Sequence, residues 1–373
     1  MNINPVDPAS LILSQPTNRS PSFSASPEVS QPLPGFLAPL PASMNNEDAS
    51  YLRRRGSLDL PATSLQNDLI EWFTDHVYSY VPIVDLHSFF QLVQTHNGRR
   101  GQISLPLYQA VLFSASLFVD NTYLSGTGFS SREDAQNTFF LWAHWLYDLG
   151  YESNRLPIVQ SLLLMSFRQG PPDTIKDDGW YWLGAAISMA YAVDLHHALS
   201  ITDKSSLTQG LRKRLWWSCY THELVMSLAT QRPMRIGEED FDIPMVGESD
   251  FNYRPVPRDI TIISRKCKIS FTNRRTAEIS THAALHSSIA PSSLAVLVVF
   301  AKSRDHDGRN KAYVANPAQN GRSSETVLTN YTTMRSASQY VAGEDPVLPG
   351  LRDLDYYTQW VSMPFIPPLE VLR

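Results

Sequence analysis

Histidines beside carboxylates are the residues of this chain that first suggest a chemical role. His222 and Glu223 begin the pattern H-E-x-x-H, in which two imidazoles one helical turn apart bind zinc and the glutamate polarises a water molecule. Met226 stands at the second histidine position, and a thioether does not replace an imidazole as a zinc ligand in such a site. We therefore interpret His222 as a histidine of the core or its boundary.

A second candidate is the pair His196 and His197, which follows Asp194. Imidazoles transfer protons in many enzymes, but histidines are also favoured at the C-terminus of a helix by its negative pole. No nucleophile stands at a fixed spacing from the pair, and the sequence contains neither a G-x-S-x-G elbow nor a phosphate-binding glycine loop. We therefore expect no enzymatic activity. A helical enzyme that uses His196 or His197 in a buried pocket stays open as the lesser alternative.

Charge and cysteine content exclude several classes of protein. The 373-residue chain contains 31 lysines and arginines against 36 acidic residues, a formal net charge of −5, so it is no generic polycation that binds nucleic acid through overall charge. Two cysteines, Cys219 and Cys267, are too few for a disulfide scaffold or a multi-cysteine zinc module. We expect no cofactor and no metal. The longest apolar run, residues 293–301, is about half the ~20 residues that cross a bilayer, and we expect no membrane partner.

The chain divides by composition into three zones, and the structure predicted for each zone determines where these residues lie. Residues 1–50 contain nine prolines and nine serines without helical or strand periodicity, which predicts a disordered Pro/Ser-rich tail. Residues 51–257 contain long apolar-periodic stretches cut by Pro and Gly, which predict an all-α, multi-helix domain. Residues 258–373 are polar and locally basic. We expect them to form a poorly ordered C-terminal third that is partly helical or disordered.

The best-defined helix is predicted over residues 208–230, where apolar side chains recur at steps of three and four. Adjacent tryptophans, Trp216 and Trp217, follow its basic start. Neighbouring residues lie about 100° apart on a helix, so a helix covered on two sides buries both rings. We therefore expect the loss of either ring to destabilise the domain.

A charged corner is predicted directly after this helix. Pro233 ends the helix, and Arg232 and Arg235 lie where they can satisfy its last carbonyls. Phe241 begins an alternation of apolar residues with acids and prolines, typical of an extended segment laid over a helical surface. The alternative left open is an anion or effector site built on the two arginines. In the structural interpretation they pair with the acids that follow them in the chain: Glu238, Glu239, Asp240 and Asp242.

Three motifs in this region occur in a specific order. They are the helix start Arg214-Leu215-Trp216-Trp217, the turn Arg232-Pro233-Met234-Arg235-Ile236, and the tail Glu239-Asp240-Phe241-Asp242-Ile243-Pro244. This order closely resembles the middle homology region of the fungal-specific transcription factors that carry a Zn₂Cys₆ DNA-binding cluster. Residues 51–90 are similar in particular to the cutinase-transcription-factor branch of that family.

The resemblance implies a regulatory, effector-responsive domain of a transcription regulator that acts in the nucleus. Such regulators hold two zinc ions with six cysteines upstream of this region, but residues 1–50 contain no cysteine. We therefore expect the chain to lack its own zinc cluster and to reach DNA only through a missing or partner domain. The implied partners are the transcription machinery or another regulator, in a homodimer or heterodimer, and a small-molecule effector. The alternative function is a non-DNA-binding interaction or dimerisation partner of a full-length regulator.

Overall fold

A computed structural model describes residues 33–124, 126–168, 178–198, 206–230, 232–251, 256–269 and 271. Among them, helices account for the regular structure apart from isolated bridge residues, which confirms the all-α fold. The α-helices are α1 (Asn46–Arg54), α2 (Thr63–Trp72), α3 (Leu86–Thr95), α4 (Leu105–Ser116), α5 (Asn121–Leu124), α6 (Arg132–Asp148), α7 (Arg155–Met165), α8 (Gly179–Ala192) and α9 (Ser206–Thr230). A π-helical turn, Phe73–Val77, continues α2, and 3₁₀ turns lie at Glu238–Asp240 and Glu248–Asp250.

Side chains just outside the helices determine where several of them begin. Ser131 accepts a hydrogen bond from the backbone N–H of Asp134 (3.1 Å), which places the N-cap of α6 at the serine. Asp178 likewise accepts from the N–H of Trp180 (3.0 Å) and caps α8. These bonds satisfy amides that have no partner inside the first helical turn. The cap at Asp178 also positions a carboxylate beside the candidate site.

The centre of the molecule is formed by α4 and α7. Every residue of α4 is buried, and α7 is buried from Val159 to Met165. Helices α2, α6 and α7 pack around α4, and α8 packs against α7. Two glutamines in this core donate to backbone carbonyls: Gln109 donates to Asp59 O (2.9 Å), and Gln160 donates to Ile83 O. This core supports one face of α8, on which the candidate site is built.

The predicted boundary of the N-terminal tail at residue 50 is wrong. Residues 33–50 are packed, with Phe36 and Leu37 completely buried, and α1 already begins at Asn46. The ring of Phe36 meets the edge of Tyr108 at 5.4 Å. The backbone at Gly35 passes close to the backbone at His96. A Cβ at this position would lie only 2.9 Å from His96 O, so the close approach requires a glycine. Two apolar residues in an extended segment produce no periodicity, so the sequence pattern does not reveal this packing. Residues 1–32 lie outside the described part.

The predicted boundary at residue 258 is also wrong, because the packed domain continues through the described residues 256–269 and 271. Thr261 donates its N–H to Gln94 Oε1 (2.9 Å). Ser264 donates its N–H and Oγ–H to Glu71 of α2 (2.9 and 2.7 Å). Between the exposed basic residues lie buried apolar ones, Ile260, Ile262 and Ile263. Residues 272–373 lie outside the described part, as does the apolar run at 293–301. No helix in the described part is both long and apolar enough to cross a membrane.

Candidate functional site

Helix α9 buries both of its adjacent tryptophans, as the sequence predicts. Trp216 is 0% exposed and Trp217 is 7% exposed. The ring of Trp216 lies 5.4 Å from Tyr191 of α8, and the indole N–H of Trp217 donates to Pro244 O (3.0 Å). Leu215 is also fully buried. The basic-Leu-Trp-Trp motif therefore forms the packing face of α9.

The arginines at the start of α9 are engaged within the domain. Arg214 is 3% exposed, and its Nη1 donates to the hydroxyl of Tyr78 (3.2 Å). Arg212 donates to the carbonyls of Val193 and Asp194 (2.9 and 2.8 Å), just after the end of α8. A guanidinium at that position complements the negative pole of the helix. Neither arginine is placed to contact a phosphate.

The tail of the third motif crosses the tryptophan pair as an extended strap, which we define as residues 241–244. The N–H groups of Asp242 and Ile243 both donate to His196 O (3.1 and 3.2 Å). Phe241 packs its ring against Trp216 and Trp217, with centroids 5.6 and 5.4 Å away. The extended segment over a helical surface is thus confirmed. The strap therefore covers the tryptophan pair of α9, and its Ile243 belongs to the same hydrophobic core cluster.

Of the acids whose side chains the structure describes, Glu239, Asp240 and Asp242, none forms an ion pair with the arginines of the corner, so that part of the prediction is wrong for them. Asp240 accepts from Gly237 N–H (2.8 Å) and lies 3.4 Å from the hydroxyl of Tyr191. Burial, with Asp240 adding its charge, raises the pKa of Tyr191 to about 12. Glu239 is exposed, and the side chain of Glu238 lies outside the described part. The acids therefore shape the turn and the strap instead of neutralising the corner.

Arg232 and Arg235 instead find partners on α8 and α9. Arg232 Nη1 lies 2.7 Å from Asp178 Oδ2, at the N-cap of α8. The backbone N–H of Arg235 donates to Glu223 Oε1 (2.8 Å), and its Nε lies 3.3 Å from the same oxygen. The Arg235 guanidinium also lies 3.7 Å from the centroid of the Trp180 ring. After Pro233 the chain doubles back beside α9, so the partners of the arginines come from segments remote in sequence.

Burial perturbs the ionisable groups on this face of α9. Desolvation raises the pKa of Glu223, which is fully buried, against the opposing effects of the Arg235 N–H and charge. Burial also raises the pKa of Cys219, one turn earlier, to about 12, with Glu223 adding to the shift. The pKa of His222 falls to about 3 through burial, and its ring meets Phe167 at 4.7 Å. His222 is a core histidine, as interpreted from the sequence.

The pair His196 and His197 anchors the strap. His197 Nδ1 lies 3.1 Å from Asp242 Oδ1, which also accepts from the N–H of Ala198 (3.0 Å). The side chain of His197 is 55% exposed. Desolvation is the main cause that lowers the pKa of His196, followed by the neighbouring His197. The exposure of His197 differs from the buried pocket that the catalytic alternative requires.

Sequence reasoning missed one cluster that joins distant segments. Glu71, Asp75 and Cys267 bring potential ligand atoms within 4.8 Å of one another. Both oxygens of Glu71 already accept from Ser264, and the Cys267 thiol lies 3.6 Å from Asp75 Oδ1. The cluster holds the C-terminal described segment against α2. Its signal in the sequence is weak, because nearly 200 positions separate its two halves.

Comparisons with known proteins show what the chain is similar to. The family model described as the fungal specific transcription factor domain matches residues 70–294. Cutinase transcription factor 1 beta of Fusarium vanettenii is 44% identical over 237 residues, which are 64% of this chain and 27% of that protein. Transcription factor cpaR of Aspergillus oryzae is 32% identical over 221 residues, 59% of this chain and 36% of that protein. No solved structure matches the chain.

The helical domain with its strapped tryptophan motif is thus of the class found in these transcription factors. The chain belongs to the fungal specific transcription factor domain family. The match with Cutinase transcription factor 1 alpha of Fusarium vanettenii, 31% identical over 208 residues, covers 56% of this chain and 22% of that protein. The chain therefore spans about a quarter to a third of the length of these relatives.

Proposed function

We propose that the chain is the regulatory domain of a fungal Zn₂Cys₆-type transcription regulator, and that it tunes activation in the nucleus in response to a small-molecule effector. It works without catalysis and contacts DNA only through another domain or a partner. Its partners are the transcription machinery or a second regulator, in a homodimer or heterodimer. The family and the named relatives support this role.

The proposal rests mainly on one observation: the basic residues around α9 bond to partners within the domain. Phosphate contacts need accessible lysines or arginines. Arg214 is buried against Tyr78, and Arg232 is paired with Asp178. Cys219 and Cys267 are the two cysteines of the chain, and both are buried. These side chains hold the domain together, which fits a regulatory body better than a DNA-reading surface.

A reporter assay tests the proposal with the full chain. The chain is inserted between a heterologous DNA-binding domain and an activation domain, with a flexible linker of the same length as the control. The insertion should change reporter output at equal protein levels, because a regulatory domain alters the activity of the activation domain fused to it. Output equal to that of the linker control would contradict the proposal.

Arg232→Ala refines this test, because Arg232 pairs with Asp178 at 2.7 Å. We expect a lower melting temperature and altered reporter output whichever metabolite is supplied. Arg155→Ala is the matched control, since Arg155 is an exposed arginine whose side chain bonds only to the carbonyl of Ala192 among the described contacts. An unchanged melting temperature together with loss of a metabolite response would favour an effector site at Arg232 itself.

Expression of the chain in trans tests the interaction alternative. The chain without a fused DNA-binding domain is expressed beside a full-length relative. Under our proposal it does not inhibit that relative, even where the two proteins form a heterodimer. Inhibition in trans, with co-purification of the two proteins, would instead favour a non-DNA-binding partner.

A further inference from the structure

A buried polar group lies where α8, α9 and the corner meet. We call Glu223, Ser227 and Arg235 the Glu223 cluster. Glu223 is 0% exposed and Ser227 is 5% exposed, and they lie one turn apart on the same face of α9. The Arg235 side chain is 28% exposed, so it links the buried carboxylate to the surface.

The hydrogen-bonding capacity of the cluster is only partly used. Glu223 Oε2, Ser227 Oγ, and Arg235 Nε and Nη2 are buried atoms without a hydrogen-bond partner among the described residues. Glu223 Oε1 alone receives the Arg235 N–H. Each unsatisfied buried polar group costs about 1–3 kcal/mol, and native interiors contain few of them. A concentration of such atoms in one cluster points to a polar ligand that completes it.

The charges around the cluster define what that ligand must carry. Arg235 balances Glu223, and Arg232 balances Asp178. A lone anion or cation would leave one uncompensated charge in a poorly solvated place, which is costly. A molecule that carries both a positive and a negative charge leaves the net charge of the cluster unchanged. Its carboxylate can accept from Arg235, and its ammonium group can donate to Glu223 and Ser227.

We propose that the Glu223 cluster binds a small zwitterion, a molecule with a carboxylate and an ammonium group a few atoms apart, such as an amino acid. Arg235 Nη2 holds the carboxylate, while Glu223 Oε2 and Ser227 Oγ hold the ammonium. The Trp180 ring, in contact with the Arg235 guanidinium, keeps that guanidinium in place. This inference rests on the proposed regulatory function, since it names the effector class to which the domain responds.

Binding at this position would act on the whole α8–α9 unit. Arg235 follows Pro233 and precedes the strap, and the strap bonds to the loop after α8 through His196 O. A ligand that bridges Glu223 and Arg235 favours the conformation in which the corner lies against α9. Ligand binding to the folded state alone also raises the melting temperature by mass action.

Calorimetric titration of the full chain tests the site with defined probes. Glycine, β-alanine and 4-aminobutyrate are zwitterions of increasing charge separation. Acetate and methylammonium carry the single charges. We expect saturable binding of at least one zwitterion, at least about tenfold tighter than either single-charge probe. No saturation by any zwitterion up to about 10 mM, or equal binding of acetate, would overturn the proposal.

Variants locate the binding within the cluster. Glu223→Gln keeps the shape of the side chain and removes its charge, and we expect at least about tenfold weaker zwitterion binding. Ser227→Ala should weaken binding less and provides a second test if Glu223→Gln folds poorly. Glu71→Gln is the control, because it makes the same replacement of a carboxylate on α2, outside the cluster. Wild-type affinity in both cluster variants would refute the assignment.

The outcome separates this inference from the proposed function. A chain that tunes the reporter but binds no zwitterion keeps its regulatory role and loses the Glu223 site. A chain that binds a zwitterion without any effect on the reporter keeps the site and loses the proposed function. A shift of the ligand-dependent reporter response to higher ligand concentration in Ser227→Ala, with its ligand-independent output retained, is the result expected when both hold.

Discussion

Removing the Trp216 ring tests how α9 is packed. Trp216 is completely buried, and its ring meets Tyr191, His196 and Phe241 at centroid distances of 5.4, 5.7 and 5.6 Å. These neighbours come from α8, from the loop after it and from the strap. They are themselves held by other contacts and cannot collapse into the space that Trp216→Ala leaves. Replacement of a buried tryptophan by alanine costs about 3–5 kcal/mol in such surroundings.

The expected change in melting temperature follows from the size of the domain. For domains of about 150–250 residues, each kcal/mol lowers the melting temperature by about 2–4 °C. Trp216→Ala should therefore melt about 6–20 °C below the wild type. Differential scanning calorimetry of the full chain measures the shift, and urea unfolding followed by far-UV circular dichroism checks the free energy of unfolding.

A matched variant controls for the loss of an aromatic ring as such. Tyr123 is 48% exposed on α5, so Tyr123→Ala should stay within about 0.5 kcal/mol of the wild type. Trp217→Phe keeps most of the buried surface and removes the hydrogen bond to Pro244 O, which should cost about 1 kcal/mol. A melting temperature of Trp216→Ala equal to that of Tyr123→Ala would refute the packing of α9 described here.

Three further predictions concern pH, the C-terminal segment and DNA. The pKa of His222 is about 3 in the folded state and 6.5 in the unfolded chain. Between these pH values the unfolded state binds a proton that the folded state does not. Acidification in this range therefore destabilises the domain by up to about 1.4 kcal/mol per pH unit. Urea unfolding at several pH values should show this slope reduced in His222→Gln. Glu71→Ala removes the acceptor of both Ser264 bonds, and we expect trypsin to cleave after Arg265 faster than in the wild type; equal rates would show that the carboxylate does not hold the segment. The full chain should bind duplex DNA weakly and without sequence preference, and a submicromolar preference for one duplex in a fluorescence titration would contradict this.

The periodicity of apolar residues predicts a helix well when one face of the helix is buried and the other is exposed to solvent. This is why the span of α9 follows from its sequence, together with the burial of Trp216 and Trp217. Helix α4 shows the limit of the method: all of its residues are buried, so it has no polar face to mark its period. Phe36 shows another limit, because a single ring that enters the core from an extended segment leaves no repeating pattern.

Ion-pair partners depend on the path of the chain in space, and local sequence does not determine that path. The acids after the corner were the nearest candidates for Arg232 and Arg235, yet the partners are Asp178 and Glu223. The distances along the chain, 54 residues for Arg232 and 12 for Arg235, follow from the packing of α8 against α9 and from the reversal at Pro233. Charge complementarity alone cannot choose among several acids at similar separation.

The order of the three motifs has a physical reason once this reversal is known. The first motif supplies the tryptophans of α9, the second turns the chain back along that helix, and the third lays the strap across the same tryptophans. Phe241 touches Trp216 and Trp217, and the N–H of Arg235, a few residues before the strap, donates to Glu223 of α9. A change at any of the three sites therefore shifts the other two. Such a closed unit, joined to α8 through Asp178 and His196, allows an event at the Glu223 cluster to alter the surface that a partner sees.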